Sequence, residues 1–274
     1  MNYIVIRQWD EMRRVHISEI AVLMLESTAI SITAYAMNEL IQHKVKVIFC
    51  DEKRNPSAEV LPCHGSCDTS ARIRSQIRWK DETKQRVWTE IIRKKIEGQR
   101  DVLKKLKLSQ ANMLDGYLSE LAFNDDTNRE GHAAKVYFNA LFGNEFSRDF
   151  PCPVNAALDY GYSLILSVIN REIVASGYLT QIGIHHDNTF NAFNLGCDFM
   201  EPLRPMIDNA VLQMDPEDFG KEQKRELILL LNSTVFFSGR KQVLLYAIRL
   251  YCAGLFRTLE DNRPDRIDWI HYEL

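Results

Sequence analysis

Within the first 60 positions, apolar residues recur in the short runs typical of strands. Tyr3 to Ile6 and Val22 to Leu25 are β-favouring clusters, Arg13 to Ile17 alternates between them, and Val45 to Cys50 reads as a buried strand. One helix interrupts this pattern, because Thr33 to His43 carries Ala34, Met37, Leu40 and Ile41 on one side. Asp51 to Pro56 is a polar turn, and Pro62 to Ser70, rich in Gly, Ser, Asp and Cys, is the expected linker.

Beyond about residue 70 the period becomes helical. Ile73 and Ile77, then Trp88, Ile92 and Ile96, keep one apolar face while basic residues take the others, with Gly98 and Asn112 as candidate breaks. Trp79 and Trp88 read first as core, with stacking on bases as the alternative. Asp126 or Thr127 is placed to cap a helix starting near Asn128, with Glu130 in its first turn. Asn155 to Gly177 reads as a long helix with Leu158, Gly161, Tyr162, Ile165 and Ile169 on one side. Pro202 and Pro205 fit a helix only in or just before its first turn, so Asp198 and Glu201 are placed where a helix begins. Met206, Ile207, Ala210, Val211 and Met214 give that helix its apolar face. Lys221 to Leu231 and Lys241 to Leu259 read as two further helices, Thr234 to Phe237 as one short strand, and Asn262 to Leu274 as an irregular tail. The predicted class is α+β, with a small β-rich domain over residues 1–70 and a larger all-helical catalytic domain over 71–274.

A chain of 274 residues, 46% of them hydrophobic, can bury a full core. It has no basic start followed by a long apolar core, and the apolar stretch Val243 to Phe256 is broken by Arg249. Neither export nor a membrane span is expected, and the expected location is the cytoplasm. Six cysteines without a secretory signal are expected to be reduced thiols. Cys63-His64-x-x-Cys67 invites a zinc reading, but a structural zinc site needs four ligands and no second pair stands at suitable spacing.

Charge changes the picture more. The net charge is only −3, yet between Arg72 and Lys107 thirteen Lys and Arg face five acids, a local excess of +8. Local field and counterion release govern contact with a polyanion, so this segment is a candidate DNA-tracking surface, with Arg72, Arg78 and Lys80 as contacts. The competing reading is a solvated helix face carrying pairs such as Glu90 with Lys94.

The densest chemistry lies between Gly183 and Pro205. His185, His186 and Asp187 stand together, and Asp198 and Glu201 follow at a spacing of three, which on a helical turn places both carboxylates on one face. Imidazole with carboxylate suits Mg²⁺ or Mn²⁺ open to a phosphate better than a closed zinc site. Near Glu130, Gly131, Ala133 and Ala134 are small enough to let a ligand approach, although a capped helix start explains that acid without any metal.

The motif H-x-N-x-F-N at His186, Asn188, Phe190 and Asn191, followed by D-x-x-E-P-x-R-P-x-x-D at Asp198, Glu201, Pro202, Arg204, Pro205 and Asp208, resembles the signature of the Cas-one endonuclease family. This is the CRISPR-associated spacer-acquisition integrase. E-G-x-x-A-x-x-Y-F at Glu130, Gly131, Ala134, Tyr137 and Phe138 resembles a second family motif, and N-x-x-L-x-Y-G-Y at Asn155, Leu158, Tyr160, Gly161 and Tyr162 a third. The resemblance covers nearly the whole chain and is nearest to the type II form. It implies metal ligation by Glu130, His186 and Glu201, with Asp198 assisting, His185 a neighbour and Arg204 neutralising a phosphate or anchoring the acids. It also implies attack by a DNA 3′-hydroxyl on the leader–repeat junction of a CRISPR array. The implied partners are double-stranded DNA, a second copy in a homodimer, and the small Cas-two protein bridging two such dimers. Family members carry one more strand ahead of the one resembling Tyr3 to Arg7, so the first family strand is expected to be missing here.

Two other readings compete. His186-Asp187 is the bare dipeptide of HD-type metal phosphohydrolases, which would need a further histidine, such as His132, and a later aspartate. Alternatively, the chain is a non-catalytic DNA-binding scaffold, against which stand the open-site ligand types supplied by Glu130, His186 and Glu201.

Overall fold

The computed structural model describes every residue except 1, 9, 10, 53, 61, 63–65, 67, 215, 264–266 and 274. Strand β1 (Tyr3–Gln8) pairs antiparallel with β2 (Glu11–His16), Tyr3 opposite His16. Strand β3 (Val22–Leu25) runs parallel to β4 (Lys46–Cys50), a pairing that needs a crossover, and α1 (Ala34–Gln42) supplies it. Thr33 caps α1 by accepting from the Ala36 amide at 3.2 Å. Pro56, expected to end a turn, instead opens β5 (Pro56–Glu59), an edge strand on β4 where a missing N–H is tolerated. Ile17, Leu25, Leu40, Val45 and Val47 form the small apolar cluster beneath these strands.

A second and much larger cluster is built from helices. They are α2 (Thr69–Ile77), α3 (Asp81–Lys105), α4 (Ala111–Ser119), α5 (Arg129–Phe142), α6 (Pro153–Ala175), α7 (Asn194–Met200), α8 (Arg204–Met214), α9 (Lys221–Leu230) and α10 (Leu244–Asp261). Trp88, Ile92 and Ile96 of α3 and Leu158, Ile165 and Ile169 of α6 are all fully buried, as their spacing predicts. Trp79 and Trp88 are core residues, whereas Ile77 departs from the predicted face and is 65% exposed. Gly98 does not break α3. A Cβ there would lie 3.0 Å from Pro205 Cγ, so glycine serves the close crossing of α3 and α8. Asn112 lies inside α4 and is no break either.

The region after residue 70 is predominantly helical but also carries a small antiparallel sheet in the order β7-β6-β8. Its strands are β6 (Thr234–Phe237), β7 (Arg240–Val243) and β8 (Ile270–His271). The helix expected from Lys241 starts at Leu244, because residues 240–243 fold back on β6 through Ser238 and Gly239, whose φ of 47° and 74° is the backbone of a tight hairpin turn. The tail expected to be irregular places Ile270 opposite Phe237. The architecture is α+β.

Among the described residues, Cys50, Cys152, Cys197 and Cys252 are free thiols, and no helix is long and apolar enough to cross a membrane. Cys63, His64 and Cys67, the candidate zinc cluster, lie outside the described residues.

Candidate active site

Segments distant in the chain converge on one cavity of about 290 Å³, lined by Lys95, Glu130, His186, Glu201, Arg204 and Asp208 among others. Glu130 stands in the first turn of α5. The cap of that helix differs from the expected Asp126 or Thr127: Asn128, in a left-handed conformation, accepts from the Gly131 amide, and Asp125 accepts from the Arg129 and Glu130 amides at 2.7 and 3.0 Å. Asn tolerates that backbone better than Thr, which explains the choice.

Asp198 and Glu201 do not share a helix start. Asp198 lies in the last turn of α7, while Glu201 opens a single 3₁₀ turn, Glu201–Leu203, leading into α8. Pro202 and Pro205 occupy first-turn positions as predicted, but of two successive helical segments. The two acids therefore take different roles. Asp198 is wholly buried, and its oxygens accept from the amides of Ile184, His185 and His186 at 2.6, 3.2 and 3.0 Å and from His186 Nδ1 at 2.6 Å. It stands behind the histidine rather than beside the expected ligands. Because Nδ1 donates to Asp198, the neutral His186 ring keeps its lone pair at Nε2. The Asp198 hydrogen bond raises the His186 pKa above the ordinary value. Gly183 permits this loop: a Cβ there would lie 2.3 Å from the His186 carbonyl oxygen and 2.7 Å from Asp198 Oδ2.

His185 turns the other way. Its ring stacks on the buried Trp88 at 4.0 Å and 4°, and burial lowers its pKa. Asp187 is exposed, and His132 packs toward Tyr117, so neither joins His186 at the cavity as an HD-type constellation requires.

Lys95 is the residue that sequence reasoning misplaced. Counted with the basic faces, it is 7% exposed, and its Nζ lies 2.5 Å from both Glu130 Oε1 and Glu201 Oε2. The spacing of Trp88, Ile92, Lys95 and Gln99 places it on the inward stripe of α3, a signal available from the sequence. Burial opposes its charge, but Glu201 and Glu130 outweigh that and raise its pKa. Burial likewise opposes the Glu201 charge, and Lys95 with Arg204 outweighs it, holding that carboxyl at about 2. Arg204 donates through Nε to Glu201 at 2.8 Å and lies over the Tyr162 ring at 4.5 Å, so it anchors the acid. Burial pushes Asp208 up to about 6, although the Tyr162 hydroxyl donates to it.

The donor chemistry fits a Mg²⁺ or Mn²⁺ ion: two carboxylates and one imidazole face an open cavity, and the space between the acids already holds a cation, the Lys95 ammonium. As the side chains are placed, no three His, Cys, Asp or Glu groups among the described residues stand close enough together to hold a metal ion.

The expected DNA contacts divide. Arg72 is committed to Asp68 at 2.9 Å and Glu260 at 3.0 Å and so ties α2 to α10. Arg78 and Lys80, at the α2–α3 junction, line a separate groove of about 380 Å³ with Arg74, and none of the three has an ion-pair partner among the described residues. Further along α3, Glu90 pairs with Arg93 rather than Lys94, and Lys84, Arg86, Lys94, Arg100 and Lys104 also have acidic partners.

Comparison with known proteins agrees with the motifs. The sequence profile described as CRISPR associated protein Cas1 matches residues 1–235. The chain is 34% identical over 212 residues to the CRISPR-associated endonuclease Cas1 of Neisseria meningitidis serogroup C (strain 8013), covering 77% of this chain and 70% of that one. Its fold is similar to a casposase bound to integration product, with TM-score 0.76 and 20% identity over 92% of this chain and 82% of that one. It is also similar to part of a Cas6-RT-Cas1–Cas2 complex, with TM-score 0.76 and 16% identity over 99% of this chain and 34% of that one. With the acid and imidazole side chains of its motifs gathered at one cavity and a family profile matching most of its length, this chain belongs to the CRISPR associated protein Cas1 family.

Proposed function

We propose that this chain is a divalent-metal-dependent DNA endonuclease and integrase that inserts DNA fragments as new spacers into a CRISPR array. The observation that carries the reading is the convergence of Glu130, His186 and Glu201 on one open cavity, two acids already sharing a cation. The names of similar proteins, an endonuclease and a casposase bound to integration product, support the reaction class.

Glu130, His186 through Nε2, and Glu201 would hold the ion. When bound, Mg²⁺ or Mn²⁺ polarises the scissile phosphodiester and lowers the pKa of the attacking hydroxyl. Asp198 keeps the His186 ring in the tautomer that presents Nε2 to the cavity. Arg204 fixes the Glu201 carboxylate and adds positive charge beside the phosphate. In joining, the 3′-oxygen of the incoming strand forms a bond to phosphorus while the array's P–O3′ bond breaks, and the proton lost by the nucleophile ends on the departing 3′-oxygen. The basic groove at Arg74, Arg78 and Lys80 would track duplex phosphates. The acting unit is a homodimer working with the small Cas2 protein, and the Cas1–Cas2 complex among the structural neighbours supports the Cas2 partner. The reaction runs in the cytoplasm, where the array lies.

The test is strand joining by purified protein, with and without Cas2, of a short duplex with free 3′ ends into a plasmid carrying a leader and repeat. Joining that needs Mg²⁺ or Mn²⁺ and is lost in His186→Ala supports the reading. Joining unchanged in that variant but abolished by reversing charge at Arg78 and Lys80 would make the chain a scaffold.

A further inference from the structure

The ammonium of Lys95 stands where an ion shared by Glu130 and Glu201 would stand. It lies 2.5 Å from one oxygen of each acid, with only 8% of its side chain exposed. Two facing carboxylates in a buried site repel, so a cation between them keeps both ionised and close. An ammonium and a divalent ion cannot share that space, because like charges a few ångströms apart in a poorly solvated cavity repel strongly. Metal entry therefore requires the lysine to leave.

The cavity contains an unused destination. Asp208 is 1% exposed and uses Oδ1 to accept from Tyr162, while its Oδ2 has no donor in bonding geometry among the described residues; the buried Tyr137 hydroxyl, the neighbour that could donate to it, stands outside that geometry and is itself unpartnered. Gln99, one helical turn beyond Lys95 on α3, is also 1% exposed, and its Oε1 likewise lacks a donor. Both residues line the same cavity as Lys95. Buried acceptors left without donors are costly and rare, so two of them beside a flexible ammonium point to a second position for that group.

Resting on the metal-dependent reading above, we infer that Lys95 is a resident counter-cation that the divalent ion displaces, and that Gln99 and Asp208 receive the displaced ammonium. Lys95 is thus a positioning residue with two stations. In the first it holds the acids assembled before metal arrives, and in the second it adds positive charge to the cavity wall where the phosphate is held.

The experiment is Mn²⁺ binding to the full chain, without DNA, followed by calorimetry and by the paramagnetic resonance of free Mn²⁺. Lys95→Met is expected to bind Mn²⁺ at least about fivefold tighter than wild type, the low end of ordinary site coupling. Lys94→Met, which removes a neighbouring charge paired with Glu97 on the same helix, is expected to leave the affinity unchanged. Asp208→Asn keeps the lysine but weakens its second station, and is expected to bind Mn²⁺ more weakly. This variant keeps the inference testable should Lys95→Met fail to fold. Equal or weaker binding by a folded Lys95→Met, or equal gains in Lys94→Met and Lys95→Met, overturns the counter-cation role. Unchanged affinity in Asp208→Asn overturns the second station. Absence of Mn²⁺ binding in both wild type and Lys95→Met overturns the metal-dependent reading itself, whereas binding by wild type with no gain in Lys95→Met overturns only the displacement.

Discussion

His186 donates through Nδ1 to Asp198 across 2.6 Å, and the same carboxylate holds the His186 backbone amide at 3.0 Å. One buried acid thus fixes both the ring and the chain that carries it. Asp198→Ala would leave three amides and a ring nitrogen without their acceptor, and is expected to destabilise the fold by about 2–4 kcal/mol in urea denaturation. His186→Ala removes a ring whose side chain is 41% exposed, and is expected to cost less than about 1 kcal/mol while strand joining is lost. Equal stability losses in the two variants would contradict the division of roles.

The adjacent histidines should separate in the same way by activity. His185 lies flat on Trp88 and does not line the cavity, while His186 does. His185→Ala is expected to slow joining by less than about tenfold, the low end of effects from groups that only support a ligand. His186→Ala should slow it by more than about a hundredfold, since it removes a proposed ligand. Initial rates of joining at saturating metal measure the difference.

Asp208 makes stability depend on pH. Burial raises its pKa from 3.8 to about 6, so the native state binds this proton more tightly than the unfolded chain does. Its contribution to stability therefore falls as pH rises from about 4 to about 6 and stays lowered above that, by on the order of 2–3 kcal/mol. Asp208→Asn should gain stability relative to wild type across that window. Urea midpoints of both proteins at several pH values measure it, and a constant difference would show that Asp208 titrates normally.

The groove at Arg78 and Lys80 gives a salt-dependent expectation. Reversing both charges should weaken duplex binding and make the slope of log K against log salt shallower by about 2, close to one unit per lost phosphate contact. Arg86→Glu should change it less, because Arg86 is already paired with Glu82. Anisotropy titrations with labelled DNA decide it, and an unchanged slope in the double variant would place the DNA elsewhere.

Much of this was legible in the chain. The first strands, α1 and the long α6 follow from local periodicity, and the prolines at 202 and 205 marked helix starts because proline lacks an N–H wherever it stands. β7 was not legible, since so short and polar a run fits a helix start as well as a strand until a partner pairs with it, whereas the equally short but apolar runs of β3 and β6 read as strands. Gly98 looked like a break because glycine is weak in an isolated helix, yet the requirement it meets comes from Pro205 on another helix.

By itself, the sequence determined the helical and strand periodicities, the α+β class and the acid and imidazole motifs, all carried by residues close in the chain. Only the tertiary structure decided which acid stands behind the histidine, and that Lys95, 35 positions from Glu130 and 106 from Glu201, is the cation between them. The reason is physical. Spacing along a helix assigns a side chain to a face, but which groups lose water together, and therefore which charges must neutralise one another, is set by helices distant in the chain that pack around one cavity.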